Sequence, residues 1–266
     1  PYYIYKVLTK NQQKYIRSLS LKKNRDADQV FLAEGSKVVG DLLGHFPCKL
    51  LAGPDRFLRA HGKKAETTVL ATEEEIARAS LLKSPREVLA LFDQTPLHDV
   101  LSEEALLELP TRELVLLLDD VQDPGNLGTI LRLADWFGIH HVVCSLHTAD
   151  VFSPKVVQAT MGSLARVRVH YLDPLEYLNE LPAETPVYGT FLDGKNIYDE
   201  QLTDKGIIVM GNEGKGISAA LTDYITHRLY IPNYPIGTPT GESLNVAIAT
   251  AVTCAEFRRQ MLAKGK

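Results

Sequence analysis

Residues 114–132 read LVLLLDDVQDPGNLGTILR, an apolar run that breaks into Asp, Pro, Gly and Asn before a helical pattern resumes. The same transition recurs as IIVMGNEGKGIS over 207–218 and IPNYPIGTPTGESLNVA over 231–247. Short continuous apolar runs fit strands buried on both faces, the habit of parallel sheets covered by helices. Loops that follow parallel strands leave by one edge, and ligands of open α/β folds bind there. Three such loops predict one shared pocket, and with it an enzyme or a nucleotide-type binder.

Around these loops the alternation is regular. Strands are expected at Leu114–Leu118, His141–Ser145, Ala165–Val169, Val187–Phe191, Ile207–Met210 and Arg228–Ile231. Ser153-Pro154 and Asp173-Pro174-Leu175-Glu176 are helix starts with a cap and a proline in the first turn. A long last helix is expected from Leu244 to about Leu262.

Upstream the patches are shorter. A helix is expected over Lys10–Leu19 and strands at Val30–Ala33, Thr67–Leu70 and Val88–Phe92. Ser36 is placed to cap a helix through Leu43, and Thr72-Glu73-Glu74-Glu75 reads as a capping box. Between Gln94 and Arg112 the periodicity weakens around Pro96 and Pro110, with a short helix possible over Leu101–Leu109. The expected organisation is a smaller α/β domain over 1–95, a connection over 96–112 and a parallel-sheet α/β domain over 113–266.

The net charge of −4 offers no general attraction to nucleic acid, so such binding would need a local basic patch. Residues 1–25 hold seven basic side chains and no acid, among them Lys14, Arg17, Lys22, Lys23 and Arg25. They form either that patch or a solvated helix face. Cys48, Cys144 and Cys254 are too few and too scattered for a disulfide framework or zinc knuckle. The absence of a signal pattern and of a long apolar run leads to an expectation of a cytoplasmic protein with no membrane span. His140, His141 and His147 lack ligands at metal spacing, so no metal is expected.

Each loop has a bland and a chemical reading. Asn126 is suited to cap the helix that carries Arg132, and Arg132 could reach a phosphate or merely pair with Asp135. The stretch Gly211-Asn212-Glu213-Gly214-Lys215-Gly216 is not a P-loop, because Lys215 is followed by Gly216 rather than Ser or Thr. Glu213 could be simply an anion near a helix N-terminus. Gly241-Glu242-Ser243-Leu244-Asn245 lacks the last glycine of a nucleophile elbow, so Ser243 reads as a helix cap and hydrogen-bond donor, which disfavours a hydrolase.

Taken together, Asn126-x-Gly128-x-x-x-Arg132, Gly211-Asn212-Glu213-Gly214-x-Gly216 and Ile231-Pro232 with Ser243-Leu244-Asn245-Val246 resemble the three ordered motifs of the SpoU/TrmH family. These are S-adenosylmethionine-dependent RNA ribose 2′-O-methyltransferases of the SPOUT class. The resemblance is strongest from Glu113 onward. A weaker one, over Asn24–Leu43, is to the family's RNA-binding extension. It implies a deep trefoil knot in the C-terminal domain, a homodimer and an RNA substrate, with ribosomal RNA favoured over transfer RNA. By motif match, Arg132, Asn126, Glu213, Ser243 and Asn245 would serve catalysis. Gly211, Ile231 and Leu244, with Thr190, Leu192 and Met210, would hold the cofactor. The resemblance also implies that Arg132 activates the hydroxyl, for which a phosphate clamp is the physically easier form. The family's third motif usually has a shorter loop than 233–242 here. The rival class is a noncatalytic RNA-binding or assembly factor that keeps the knotted fold.

Overall fold

The computed structural model describes residues 4, 5, 7–94, 101–236, 238, 241 and 243–265. Two compact units emerge. One is Pro1–Asp99 with Asp150–Ala165, and the other is Val100–Ala149 with Arg166–Lys266.

The first unit holds strands β1 (Ile4–Tyr5), β2 (Val30–Glu34), β3 (Cys48–Gly53), β4 (Ala65–Leu70) and β5 (Leu89–Asp93), in the order β1-β4-β3-β5-β2. β5 runs antiparallel to both β2 and β3, and the β1-β4 and β3-β4 pairs are parallel. Ile16 and Leu19 from the first helix (Lys10–Ser18) and its end are fully buried against this sheet. Thr9 starts that helix with a capping box to Gln12, and Thr72 does the same with Glu75 for Glu73–Ala79. Ser36 is not a cap. Gly35, at φ 97°, takes that position, a conformation that costs a residue without Cβ little.

The segment Asp150–Ala165, expected with the parallel sheet, packs in this unit instead. Phe152 stacks on Phe31 at 4.9 Å, and Phe31 in turn meets Phe92 and Phe46 at 5.6 and 5.2 Å. Aromatic contacts of this kind add about 0.5–1.5 kcal/mol each beyond their buried area. Asp150 also receives Arg25 Nη2 at 2.5 Å, while Arg25 Nη1 donates to the carbonyls of Leu19 at 2.6 Å and Ser20 at 3.0 Å. Arg25 is only 2% exposed. It was expected on an RNA-binding face and is instead an interior brace. Arg17 is exposed, but its Nη1 donates to Ser80 O at 3.0 Å, just past the end of the helix Glu73–Ala79. Lys14, Lys22 and Lys23 remain exposed, with Lys22 paired to Asp26.

In the second unit six strands are all parallel: β6 (Leu114–Leu118), β7 (His141–Cys144), β8 (Arg168–Tyr171), β9 (Val187–Asn196), β10 (Gly206–Met210) and β11 (His227–Tyr230). Their order is β11-β9-β10-β6-β7-β8. β6 and β10 lie side by side in register from Leu114–Gly206 to Leu118–Met210, buried at every position. Such burial contributes about 1.5–3 kcal/mol per large aliphatic side chain. The expected strand Ala165–Val169 begins later, because Gly162, at φ 94°, leads into a 3₁₀ turn over Ser163–Ala165. Of the expected connection, residues 96–100 lie outside the described residues, as does residue 95 before it. The rest is ordered in this unit as a helix, Glu103–Glu108, and a 3₁₀ turn, Leu109–Thr111, with Tyr177 Oη donating to Leu106 O at 3.2 Å. Among the described residues no helix is long and apolar enough to cross a membrane.

The placement of Arg25 predicts that Arg25→Ala will destabilise the first unit by about 3 kcal/mol, since it strands the Asp150 carboxylate and two carbonyls. Urea denaturation followed by tyrosine fluorescence checks this. An unchanged midpoint with weakened RNA binding would instead make Arg25 a surface contact.

Candidate active site

All three motif loops leave the carboxyl edge of the parallel sheet, after β6, β10 and β11. Asp123, not Asn126, caps the helix Pro124–Trp136, accepting the Asn126 N–H at 2.9 Å. Asn126 is thereby freed for a different task. Its Nδ2 donates to Glu213 Oε1 at 3.0 Å, and its Oδ1 accepts from Asn245 Nδ2 at 3.0 Å. Asn245 Oδ1 then accepts the N–H groups of Ala247 at 2.9 Å and Ile248 at 3.3 Å, capping the last helix, Val246–Ala263. The cap assigned to Ser243 is therefore Asn245, two residues later.

Glu213 also accepts from the backbone N–H groups of Asp123 at 3.1 Å and Gln122 at 3.3 Å. Burial works to raise its carboxyl, but the Asn126 amide and the backbone donors outweigh this and hold it below the usual glutamate range. The second loop is pinned independently. Asn212 Nδ2 donates to Asp120 O at 2.7 Å, and its Oδ1 accepts from Gly214 N and Lys215 N at 3.0 and 3.1 Å. Asp119, just past β6, accepts the Ser218 N–H at 2.7 Å. Gly211 is obligatory here, since a Cβ would lie 2.1 Å from the Gly216 carbonyl carbon.

A cavity of about 500 Å³, a volume within the range of small-molecule sites, opens at the second and third loops. The first loop, expected to share it, contributes no lining residue and is joined to the other two through Asn126. Thr190, Leu192, Met210, Gly211, Ile231 and Leu244 all line it, as do Glu213 and Ser243. Sequence reasoning missed Phe191, Ile217 and Tyr230, and Val246 and Ala249 of the last helix, which also line it. It also stopped β9 too early. The β9–β11 register jumps from Gly189–Arg228 to Lys195–Leu229, so residues 190–194 arch out and present Thr190, Phe191 and Leu192 to the cavity. Gly194 was the available signal, because a Cβ there would meet the Leu229 backbone at 2.5 Å. Leu192, 74% exposed, and Leu244, 51% exposed, are apolar groups open at the cleft, as expected where a ligand covers them.

Arg132 lies exposed on the helix Pro124–Trp136. Its alternative partner, Asp135, is engaged by Arg166 through Nε at 2.8 Å and Nη2 at 2.7 Å. Gly128 and Gly125 precede Arg132 by four and seven residues, the spacing of one helix face. The other chemistry-bearing groups lie elsewhere. His141 Nδ1 and His170 Nε2 face each other at 3.0 Å, and burial, followed by the His141 and Arg168 charges, pushes His170 down to about 4. Cys48, Cys144 and Cys254 are buried free thiols that burial drives upward, so none is a ready nucleophile.

Comparisons with known proteins identify the family. Residues 113–255 match the model of the SpoU rRNA Methylase family, and 10–90 match the MRM3-like substrate binding domain. The chain belongs to the SpoU rRNA methylase family. It is 32% identical to the 23S rRNA (guanosine(2553)-2′-O)-methyltransferase RlmP of Bacillus subtilis, over 94% of this chain and 97% of that one. Among solved structures, a TrmH-family protein from Porphyromonas gingivalis is 44% identical, with a TM-score of 0.82, covering 95% of this chain and 99% of its own. An AdoMet-bound rRNA methyltransferase from Sinorhizobium meliloti is 30% identical, with a TM-score of 0.80, covering 97% and 98%. The family's mixed α/β fold, with a parallel-sheet domain after an N-terminal substrate-binding domain, is present here.

The lowered Glu213 carboxyl has a consequence for stability. Its contribution is fully present above the unfolded pKa, about 4.3, and is lost as pH falls through the lower folded value. The melting temperature of Glu213→Gln should therefore fall below wild type at pH 6, with the gap narrowing towards pH 3. A gap that stays constant across that range would mean that the carboxylate gains nothing from Asn126 and the two N–H groups.

Proposed function

We propose that this chain transfers the methyl group of S-adenosylmethionine to a ribose 2′-hydroxyl of ribosomal RNA. The observation that carries this reading is the Glu213–Asn126–Asn245 chain of hydrogen bonds, which ties the first family motif to the second and third, and these two line the cavity. The residues fit the cofactor. Apolar Leu192, Met210, Ile231 and Leu244 provide walls, and the Gly211–Gly216 turn brings main chain where a side chain would not fit.

Bound S-adenosylmethionine supplies a methyl group on a positively charged sulfur, activated for in-line displacement without a metal. The protein must then hold the acceptor oxygen in line and keep competing water away. The apolar wall serves the second need. Arg132 serves the first: its guanidinium clamps a phosphate beside the acceptor ribose and donates to the 2′-oxygen as negative charge develops there. A guanidinium does not readily surrender a proton, so Arg132 orients the oxygen rather than acting as its base, and the hydroxyl proton passes to bulk solvent on the side of the acceptor ribose away from the apolar wall. Glu213 and Asn126 hold the first and second loops together, and Asn245 aligns the last helix. Ser243 stands at the cleft as a hydrogen-bond donor.

The reading includes three further elements. Lys14, Lys22 and Lys23, with Arg17, meet RNA phosphates. The C-terminal domain carries the family's trefoil knot, in support of which the chain leaves β11 beyond β9 yet returns to place Asn245 against Asn126 after β6. The enzyme works as a homodimer through Trp136, 84% exposed, and Ile248, 54% exposed.

Ribosomal RNA from a strain lacking the gene, incubated with enzyme and methyl-labelled S-adenosylmethionine, should yield a 2′-O-methylnucleoside on digestion and mass spectrometry. Base methylation, or no product, would overturn the reading. Arg132→Ala should slow turnover by about two to three orders of magnitude, the cost of one preorganised donor, with cofactor affinity unchanged. Near-normal single-turnover rates would remove Arg132 from the chemistry.

A further inference from the structure

The loop that follows β11 departs from the family's short third motif, and its extra length begins with a side chain in an unusual setting. Tyr234 is 90% exposed, and Ile236, two residues on, is 78% exposed. Exposed aromatic residues are ordinary on mobile tips, but this position is braced from both sides. Tyr230, itself part of the cavity wall, donates through its hydroxyl to Asn233 Oδ1 at 2.9 Å. Asn233 Nδ2 donates across the turn to Thr238 O at 2.8 Å, and Thr238 Oγ1 returns to Pro235 O at 2.6 Å. The backbone on either side of Tyr234 is thus tied down while the ring itself projects into solvent.

Its place in the chain bounds how far its backbone lies from the cavity. Ile231 lines the cavity and Tyr234 follows three residues later, so the two Cα atoms lie within about 10–11 Å of each other. Ser243 and Leu244, at the other end of the loop, line the same cavity. A ribose presented to that cavity carries its base to one side at about this reach. RNA sites that act on a single nucleotide splay the base from its neighbours, and splayed bases are held by stacking on aromatic faces.

We propose that Tyr234 is a positioning residue that stacks on the base of the acceptor nucleotide, or of the nucleotide next to it, with Ile236 extending the apolar platform. This rests on the reading of the chain as an RNA ribose methyltransferase. The ring provides binding and orientation, while methyl transfer itself stays with the groups at the cavity. Stacking accepts any base, so Tyr234 contributes affinity and alignment, and sequence choice arises elsewhere.

The test compares wild type, Tyr234→Ala, Tyr234→Phe and Tyr234→Leu in methyl transfer to unmodified ribosomal RNA, with cofactor affinity measured by calorimetry on each. Tyr234→Ala should raise the KM for RNA by about tenfold to a hundredfold, the usual effect of losing one stacking ring, with kcat and cofactor affinity within about threefold of wild type. Tyr234→Phe should restore the wild-type KM, and Tyr234→Leu should not. Equal KM values for wild type and Tyr234→Ala would overturn the proposal, as would failure of Tyr234→Phe to restore it, which would assign the effect to the hydroxyl. A change of sedimentation coefficient in Tyr234→Ala would place the ring in a subunit contact and equally overturn it. Failure of wild type to methylate ribosomal RNA would instead refute the broader reading of function.

Discussion

The site depends on a directional run of hydrogen bonds that starts at a group able only to accept. An ionised Glu213 has no proton to give, so Asn126 must turn its Nδ2 towards it. That leaves Asn126 Oδ1 facing Asn245, which must in turn present its own Nδ2. Asn245 Oδ1 is then left for the open N–H groups at the start of the last helix. Each amide orientation follows from the one before it. The residues involved are 87 and 119 positions apart in sequence, yet the three parallel-strand exits bring them to one edge. Exchange of any member for a group of different donor sense breaks the order at that point and leaves a helix terminus or a loop without its partner.

This explains why so few charged side chains are needed around the cavity. The second loop is held by Asn212 and by Asp119 through main-chain N–H groups, and Gly211 lets two stretches of backbone approach more closely than any side chain permits. A cradle built from main chain keeps its shape because its hydrogen bonds are part of the fold. The loops gain their rigidity from the sheet, whose central strands β6 and β10 are buried at every residue. The first unit solves a different problem. There Arg25 is drawn into the interior, and the segment Asp150–Ala165 joins the aromatic cluster around Phe31.

Much of this was legible before the structure. Unbroken apolar runs such as Leu114–Leu118 announce parallel strands, and the polar breaks after β10 and β11, though not the one after β6, line the pocket. All six residues expected to hold the cofactor line one cavity. What the sequence concealed has physical reasons. Local pattern shows that a cap is needed near a helix start but not which of two neighbouring polar residues supplies it. Asp123 and Asn245 therefore hold positions first given to Asn126 and Ser243. Periodicity cannot show where a segment packs, so Asp150–Ala165 was assigned by its neighbours in sequence. A basic cluster does not reveal which member turns inward, and Arg25 does so because two carbonyls and Asp150 await it. The arch in β9 hides for a similar reason, as its residues keep a strand-like composition through the register jump.

On this geometry Asn126 and Asn245 act as one connected unit in shaping the cofactor site. The most direct measurement is a double-mutant cycle of Asn126→Ala and Asn245→Ala, read out as S-adenosylmethionine affinity by calorimetry. Residues in one hydrogen-bond network show coupling of about 0.5–3 kcal/mol, so the double variant should lose clearly less affinity than the two single losses added together. Single losses that add to within about 0.3 kcal/mol would show that the two amides act independently, and would contradict the account.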